Sequence, residues 1–167
     1  MIRNARFEDF RQVFEILLNP KINDFVETGK NVSIREMRIE WQAIWRKMLV
    51  AEQNKKIVGA VYYTDHNGKK AHVLELGTLV ARPQLLQQKA ILEGLLLELQ
   101  KRHPKKRKIE TVAVENHTSM LDFYNGFGFE LEGERKNSFM QNGRLVNEKL
   151  LAYYLKESGQ TGKKAGI

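Results

Sequence analysis

One carboxylate, Glu75, lies inside the apolar run from Val73 to Val80. If that run is a strand bordering a site, a partly buried carboxylate there gains affinity for protons and can act as a base. The competing reading puts Glu75 on a solvent-facing side of the sheet or in a pair with a lysine. His72, one residue before the run, competes for the base role only under a different strand register. Beyond Pro83, the stretch Gln87-Gln88-Lys89-Ala90-Ile91-Leu92 leads into what reads as a helix start. Free backbone N–H groups at such a start, with the helix dipole behind them, attract anionic oxygens. Strand-loop-helix units are common, so this one acquires meaning only beside a second stretch, His117 to Glu130. Other chemistries drop out. There is no cysteine to supply a thiolate, no serine beside a His/Asp pair, and no metal-ligand spacing among His66, His72, His103 and His117. No metal is expected.

These residues need a scaffold, and the chain is long enough to bury one core. Its 167 residues are 42% apolar and 29% charged, as in an ordinary globular domain. One domain over residues 1–156 is expected, with 157–167 as a flexible polar tail. No apolar run is long enough to span a bilayer and no signal-peptide core opens the chain, so a cytoplasmic protein is expected. The net charge of +8 raises a nucleic-acid reading. However, KRHPKKRK from Lys101 to Lys108 packs six positive residues into one helix-to-strand connection without interleaved aromatics. A solvated loop is the favoured account, with long-range attraction of an anionic cofactor or partner as the alternative.

The elements follow from periodicity. A short strand at Ile2 to Arg6 precedes a helix carrying Phe7, Phe10, Val13, Phe14, Leu17 and Leu18, which Asn19-Pro20 ends. Residues 21–32 lack a clear period. Ser33 and Glu36 form a capping-box pair opening a second helix, with Met37, Trp41, Ile44 and Trp45 on one side. Strands at Leu49 to Gln53 and Lys56 to Thr64 join at Asn54-Lys55, and Asn67-Gly68 reads as a hairpin turn into Val73. A long helix carries Ile91, Leu92, Leu95, Leu96 and Leu99. Then come a strand at Ile109 to Glu115, a short helix from Thr118 to the Gly126/Gly128 pair, and two strands folding about Asn142-Gly143.

The segment His117-Thr118-Ser119-Met120-Leu121-Asp122-Phe123-Tyr124, followed by Gly126-Phe127-Gly128-Phe129-Glu130, resembles the second signature of the GNAT superfamily of acyl-CoA-dependent N-acetyltransferases. The element order fits over residues 1–155. The resemblance implies an α/β (α+β) fold: a central mixed, mostly antiparallel sheet of six to seven strands with helices on both faces. It also implies acetyl-CoA as co-substrate and Tyr124 as the acid that protonates the departing sulfur. The cofactor would be held by Leu79, Val80, Gln87, Gln88, Lys89, Ala90, Ile91, Leu92, Asn116, His117 and Tyr124. In the family the phosphate loop ends in a Gly or Ala where this chain has Leu92, which either turns into the core or narrows the site. Counting back from Tyr124 puts His117 at the signature asparagine, with Asn116 one residue earlier.

The chemistry asks for three things: a polarised carbonyl, a deprotonated amine and a stabilised thiolate. If the strand from Val73 splays from the strand at Ile109, an N–H of Leu79 or Val80 can hold the thioester oxygen. Glu75 is the base candidate and Tyr124 the acid. For the acceptor, Asp24 and Glu27, with Trp41 or Trp45 nearby, would suit a cationic amine on a small molecule or peptide. The expected function is N-acetylation by direct transfer in a ternary complex. Its rival is a non-catalytic GNAT-fold module binding acyl-CoA or a protein partner; a homodimer stays open.

Overall fold

The computed structural model describes residues 1–26 and 32–155; Glu27 and the tail 157–167 lie outside them. Strand β1 (Ile2–Asn4) leads through a 3-10 turn at Phe7–Asp9 into helices α1 (Phe10–Leu17), α2 (Pro20–Asn23) and α3 (Ile34–Ile44). Next come β2 (Met48–Gln53), β3 (Lys56–Asp65), β4 (Val73–Ala81) and α4 (Gln88–Arg102). β5 (Lys108–Val114), α5 (Thr118–Phe127), β6 (Glu130–Gln141) and β7 (Arg144–Tyr154) complete the described chain. One seven-stranded sheet runs in the order β1-β2-β3-β4-β5-β7-β6. All neighbours are antiparallel except β4 and β5. This is the mixed, mostly antiparallel sheet expected from the sequence, with helices on both faces.

Each face has its own core. On one, Leu92, Leu95, Leu96 and Leu99 of α4 and Phe123 and Tyr124 of α5 pack on Leu74, Leu76, Leu79 and Ile109. Burying each of the α4 leucines stabilises the fold by roughly 1.5–3 kcal/mol over leaving it exposed. On the other, Val13, Phe14 and Leu17 of α1 and Met37 and Trp41 of α3 pack on Val50, Ile57, Ala60 and Val80. Trp41 has 0% exposure, and its Nε1 donates to Phe7 O at 2.9 Å. It is therefore a core residue, which corrects its assignment to the acceptor site.

Local signals set most boundaries. Ser33 N donates to Glu36 Oε2 (2.8 Å) and Glu36 N to Ser33 Oγ (3.2 Å), the reciprocal capping box that opens α3. Pro20 does end α1, but it also starts α2, with Asn19 capping at Lys21 N. Asn54 and Lys55 both take positive φ, as do Asn142 and Gly143, giving the two tight hairpins. Asn67-Gly68 behaves differently from the expectation. Gly68 opens a 3-10 turn, and residues 66–72 form a longer connection fastened by Lys106, whose Nζ donates to Asp65 Oδ1 and Ala71 O. Lys106 is buried, Lys108 pairs with Glu110 and Glu132, and Arg102 bonds Glu98. The basic segment is thus partly knitted into the fold, which corrects its reading as a solvated loop. Among the described residues no helix is long and apolar enough to cross a membrane.

Candidate active site

β4 and β5 pair only from Val73↔Lys108 to Leu76↔Thr111, although β4 runs on to Ala81 and β5 to Val114. Past that last pair the strands part, leaving a fork in the middle of the sheet. A bulge sits at the branch point: Tyr62 pairs with Thr78 and Tyr63 with Leu76, so Gly77 is the extra residue. A Cβ on Gly77 would lie 2.4 Å from Tyr62 Cδ1, so the bulge is compatible with glycine alone unless the ring moves. Arg82 N donates to Val58 O at 2.8 Å, which fixes the phase of the β3–β4 ladder. By alternation, residues 82, 80 and 78 direct backbone groups to β3, while Leu79 and Ala81 turn theirs to the fork. Of the two expected donors, Leu79 therefore faces the gap and Val80 does not.

A cavity of about 730 Å³ fills the fork and reaches both faces of the sheet. Tyr124 lines it from α5 and is only 4% exposed. Its placement follows from the helix end: Gly128, at φ 109, closes α5 with N–H bonds to Tyr124 O and Asn125 O. The Tyr124 hydroxyl lies beside Thr111, whose Oγ1 donates at 3.4 Å to Leu76 O. Burial pushes the Tyr124 pKa up to about 12, the neighbouring Thr111 hydroxyl opposing, so the phenol keeps its proton at neutral pH. Thr111 and Leu76 are the last β4–β5 pair, so this proton sits at the branch point.

The start of α4 lies on the same cavity. Gln88, Lys89 and Leu92 line it, and Gln88 Nε2 donates to Ala81 O at 3.4 Å. The N-cap residue Gln87 makes no side-chain cap bond. Ile91 N donates to Gln87 O, whereas no backbone acceptor meets the N–H of Lys89 or Ala90 among the described residues. Two orphan donors thus point out of a helix start. Leu92 is 3% exposed within the α4 core, where it walls the cavity without crossing it. Ile91 packs toward Gly59, Ala90 is exposed, and Gln87 turns outward toward Gln53.

At the start of α5 the two signature candidates separate. His117 is the N-cap and lines the cavity, stacked on Phe25 with ring centroids 3.9 Å apart. Its burial lowers its pKa to about 4, so it is neutral at pH 7. Asn116 points elsewhere, donating to Gln141 Oε1, and Gln141 Nε2 donates in turn to Asp24 O. Glu75 lines the cavity, as the base role requires, but its side chain is 53% exposed rather than partly buried, and its Oε2 lies 2.8 Å from His66 Nε2. Asp24 is half-buried and does not line the cavity; Trp45 sits edge-on to Phe7. Sequence reading missed Thr111, Phe25, Lys21, Arg135, Phe139 and Glu148, all on the cavity wall. Strand alternation could have found Thr111, a polar residue facing the α4 core; the others depend on strand order.

A family model described as an acetyltransferase (GNAT) domain matches residues 2–150. No curated protein sequence matches the chain. Solved structures that it resembles include a GNAT superfamily phosphinothricin acetyltransferase from Sinorhizobium meliloti in complex with acetyl-CoA. That one is 24% identical, covering 100% of this chain and 94% of the other, with a TM-score of 0.74. Others are an N-acetyltransferase from Staphylococcus aureus (21% identical, 93% and 98% covered, TM-score 0.74) and a ribosomal-protein-alanine N-acetyltransferase from Brucella melitensis (21%, 93% and 99%, TM-score 0.72). With the family match spanning nearly the whole described chain, this protein belongs to the GNAT family of acetyltransferases.

Proposed function

We propose that the chain transfers the acetyl group of acetyl-CoA directly to a primary amine, both substrates meeting at the fork. The observation that carries this is the Tyr124 hydroxyl, still protonated, at the branch point of a cavity reached from both faces of the sheet. When bound, acetyl-CoA supplies an activated thioester. The residues of the chain do the rest. The N–H groups of Lys89 and Ala90, with Gln88 and the Lys89 ammonium alongside, hold the pyrophosphate. Leu79 and Ala81 extend the sheet to the pantetheine arm as an added strand would. The Leu79 N–H meets the negative charge that develops on the carbonyl oxygen. As the C–N bond forms and the C–S bond breaks, Glu75 takes the amine proton, directly or through water. Tyr124 gives its own proton to the sulfur.

The test is release of free thiol from acetyl-CoA by the purified chain across a panel of amines. Amine-dependent release supports the enzyme. A folded protein that binds CoA and releases no thiol with any amine is instead an acyl-CoA-binding or protein-interaction module on the same fold.

A further inference from the structure

At the acceptor end of the cavity, two opposite charges that neighbour each other on the sheet are left open. Away from the cavity, charged neighbours on the sheet are joined: Lys149 to Glu134, Lys108 to Glu110 and Glu132, Arg3 to Asp9 and Glu52. Arg135 and Glu148 face each other directly across β6 and β7, the position where opposite charges normally meet. Yet among the described residues neither closes an ion pair, and Lys21 of α2 has none either. All three line the cavity.

Alternation assigns their face. Leu74 and Leu76 pack against α4, so Glu75 points the other way, level with Glu110 on β5. Two and four residues further on, Val112 and Val114 share that face, and Val114 pairs with Glu148, which pairs with Arg135. The two cations therefore stand opposite the α4 start, where the phosphates are assigned. Glu148 and Arg135 lie at the wide mouth of the fork, roughly 13 Å along the strands from the level of Glu75.

We propose that the acceptor is a small zwitterion, a free amino acid or close analogue, whose amine faces Glu148, with Glu75 reached through water, and whose carboxylate is held by Arg135 and Lys21. This rests on the acetyltransferase reading above and adds the substrate class. A site with two carboxylates and two cations is neutral overall. It disfavours polyamines, which would meet Arg135 and Lys21 with like charge, and it leaves an amine without an anionic group facing two unpaired cations.

The experiment uses the full chain with saturating acetyl-CoA and reads thiol release for free amino acids, their carboxamides, the decarboxylated amines and short peptides. The expected result is a kcat/KM for the best amino acid at least ten-fold above those of its amide, its parent amine and the peptide carrying it at the N-terminus. Arg135→Gln is expected to raise KM for that amino acid at least ten-fold, leaving its amide and the affinity for acetyl-CoA unchanged. Equal or better use of amides, amines or peptides overturns the proposal, as does an Arg135→Gln effect of the same size on acid and amide. Calorimetry of the same panel on the CoA-bound protein separates the two readings. Carboxylate-selective binding without turnover keeps the zwitterion site and removes the enzyme; no selective binding and no turnover removes both.

Discussion

The two halves of the cavity are made of different material. The α4 side rests chiefly on main chain: the N–H groups of Lys89 and Ala90 and the groups of Leu79 and Ala81 turned to the fork, with the side chains of Gln88, Lys89 and Leu92 beside them. The far side is side chain: Lys21, Glu75, Arg135, Phe139 and Glu148, brought together from four elements, α2, β4, β6 and β7. Main-chain donors depend on backbone path, which many sequences can trace, so Ala90 and Leu92 are accommodated where smaller residues would give more room. Side-chain walls change with every substitution. The cofactor half is thus the tolerant half and the acceptor half the individual one.

That contrast can be broken at several points. The largest effect is expected at Leu92. If it is core wall rather than obstruction, Leu92→Gly loses about 3 kcal/mol or more of stability, from cavity formation plus the helix cost of glycine, and does not tighten acetyl-CoA binding. Chemical denaturation together with a binding titration reads both; tighter binding at unchanged stability would return Leu92 to the role of obstruction. Next is Tyr124→Phe, which removes only the hydroxyl at the branch point. A fall in kcat of about 100-fold with little change in acetyl-CoA affinity is expected, and unchanged turnover would take the acid role away from Tyr124.

His117 gives a smaller, pH-dependent effect. Its folded pKa, about 4, lies below the unfolded value, so the unfolded chain binds the extra proton. Stability from keeping this ring neutral is complete above about pH 6.5 and declines as pH falls toward 4. After allowance for the solvent that reaches the ring, the decline amounts to about 1–2 kcal/mol. Melting curves of the wild type and His117→Gln should converge on acidification through that window; parallel curves would contradict it. Smallest is Thr111→Val, which removes the hydroxyl beside the phenol. We expect kcat to fall by a few-fold, recovery with Thr111→Ser, and unchanged acetyl-CoA affinity. A KM effect without a kcat effect would make Thr111 merely structural.

The same division explains what the sequence disclosed. Every strand and the main helices were legible, because apolar periodicity and caps such as Ser33/Glu36 are local. Tyr124 was legible through the stretch around it, whereas the splay of β4 from β5 entered only as a condition of the chemistry. The acceptor wall was not. Trp41 and Asp24 looked suited to an amine, yet Trp41 faces α1 and the 3-10 turn, and Asp24 meets the hairpin through its backbone oxygen. Arg135 and Glu148 are neighbours through the β6–β7 hairpin and its irregularity between Arg135 and Phe139, and they reach the fork only because β7 lies beside β5, a strand order that no local pattern encodes. Glu75 was found as a residue, but its contact with His66 depends on the irregular 66–72 connection, which the Asn67-Gly68 signal misrepresented.

The central claim is that the main-chain half of the fork holds acetyl-CoA with Leu92 standing where the family has a Gly or Ala. Calorimetric titration of the purified chain with acetyl-CoA, with desulfo-CoA and ATP as controls, tests it most directly. Saturable binding at one site, shared by desulfo-CoA and far weaker for ATP, is the predicted result. No binding at millimolar acetyl-CoA would contradict it, because the free N–H groups of Lys89 and Ala90 and the fork-facing backbone of Leu79 and Ala81 would then be features of a fold that binds no cofactor.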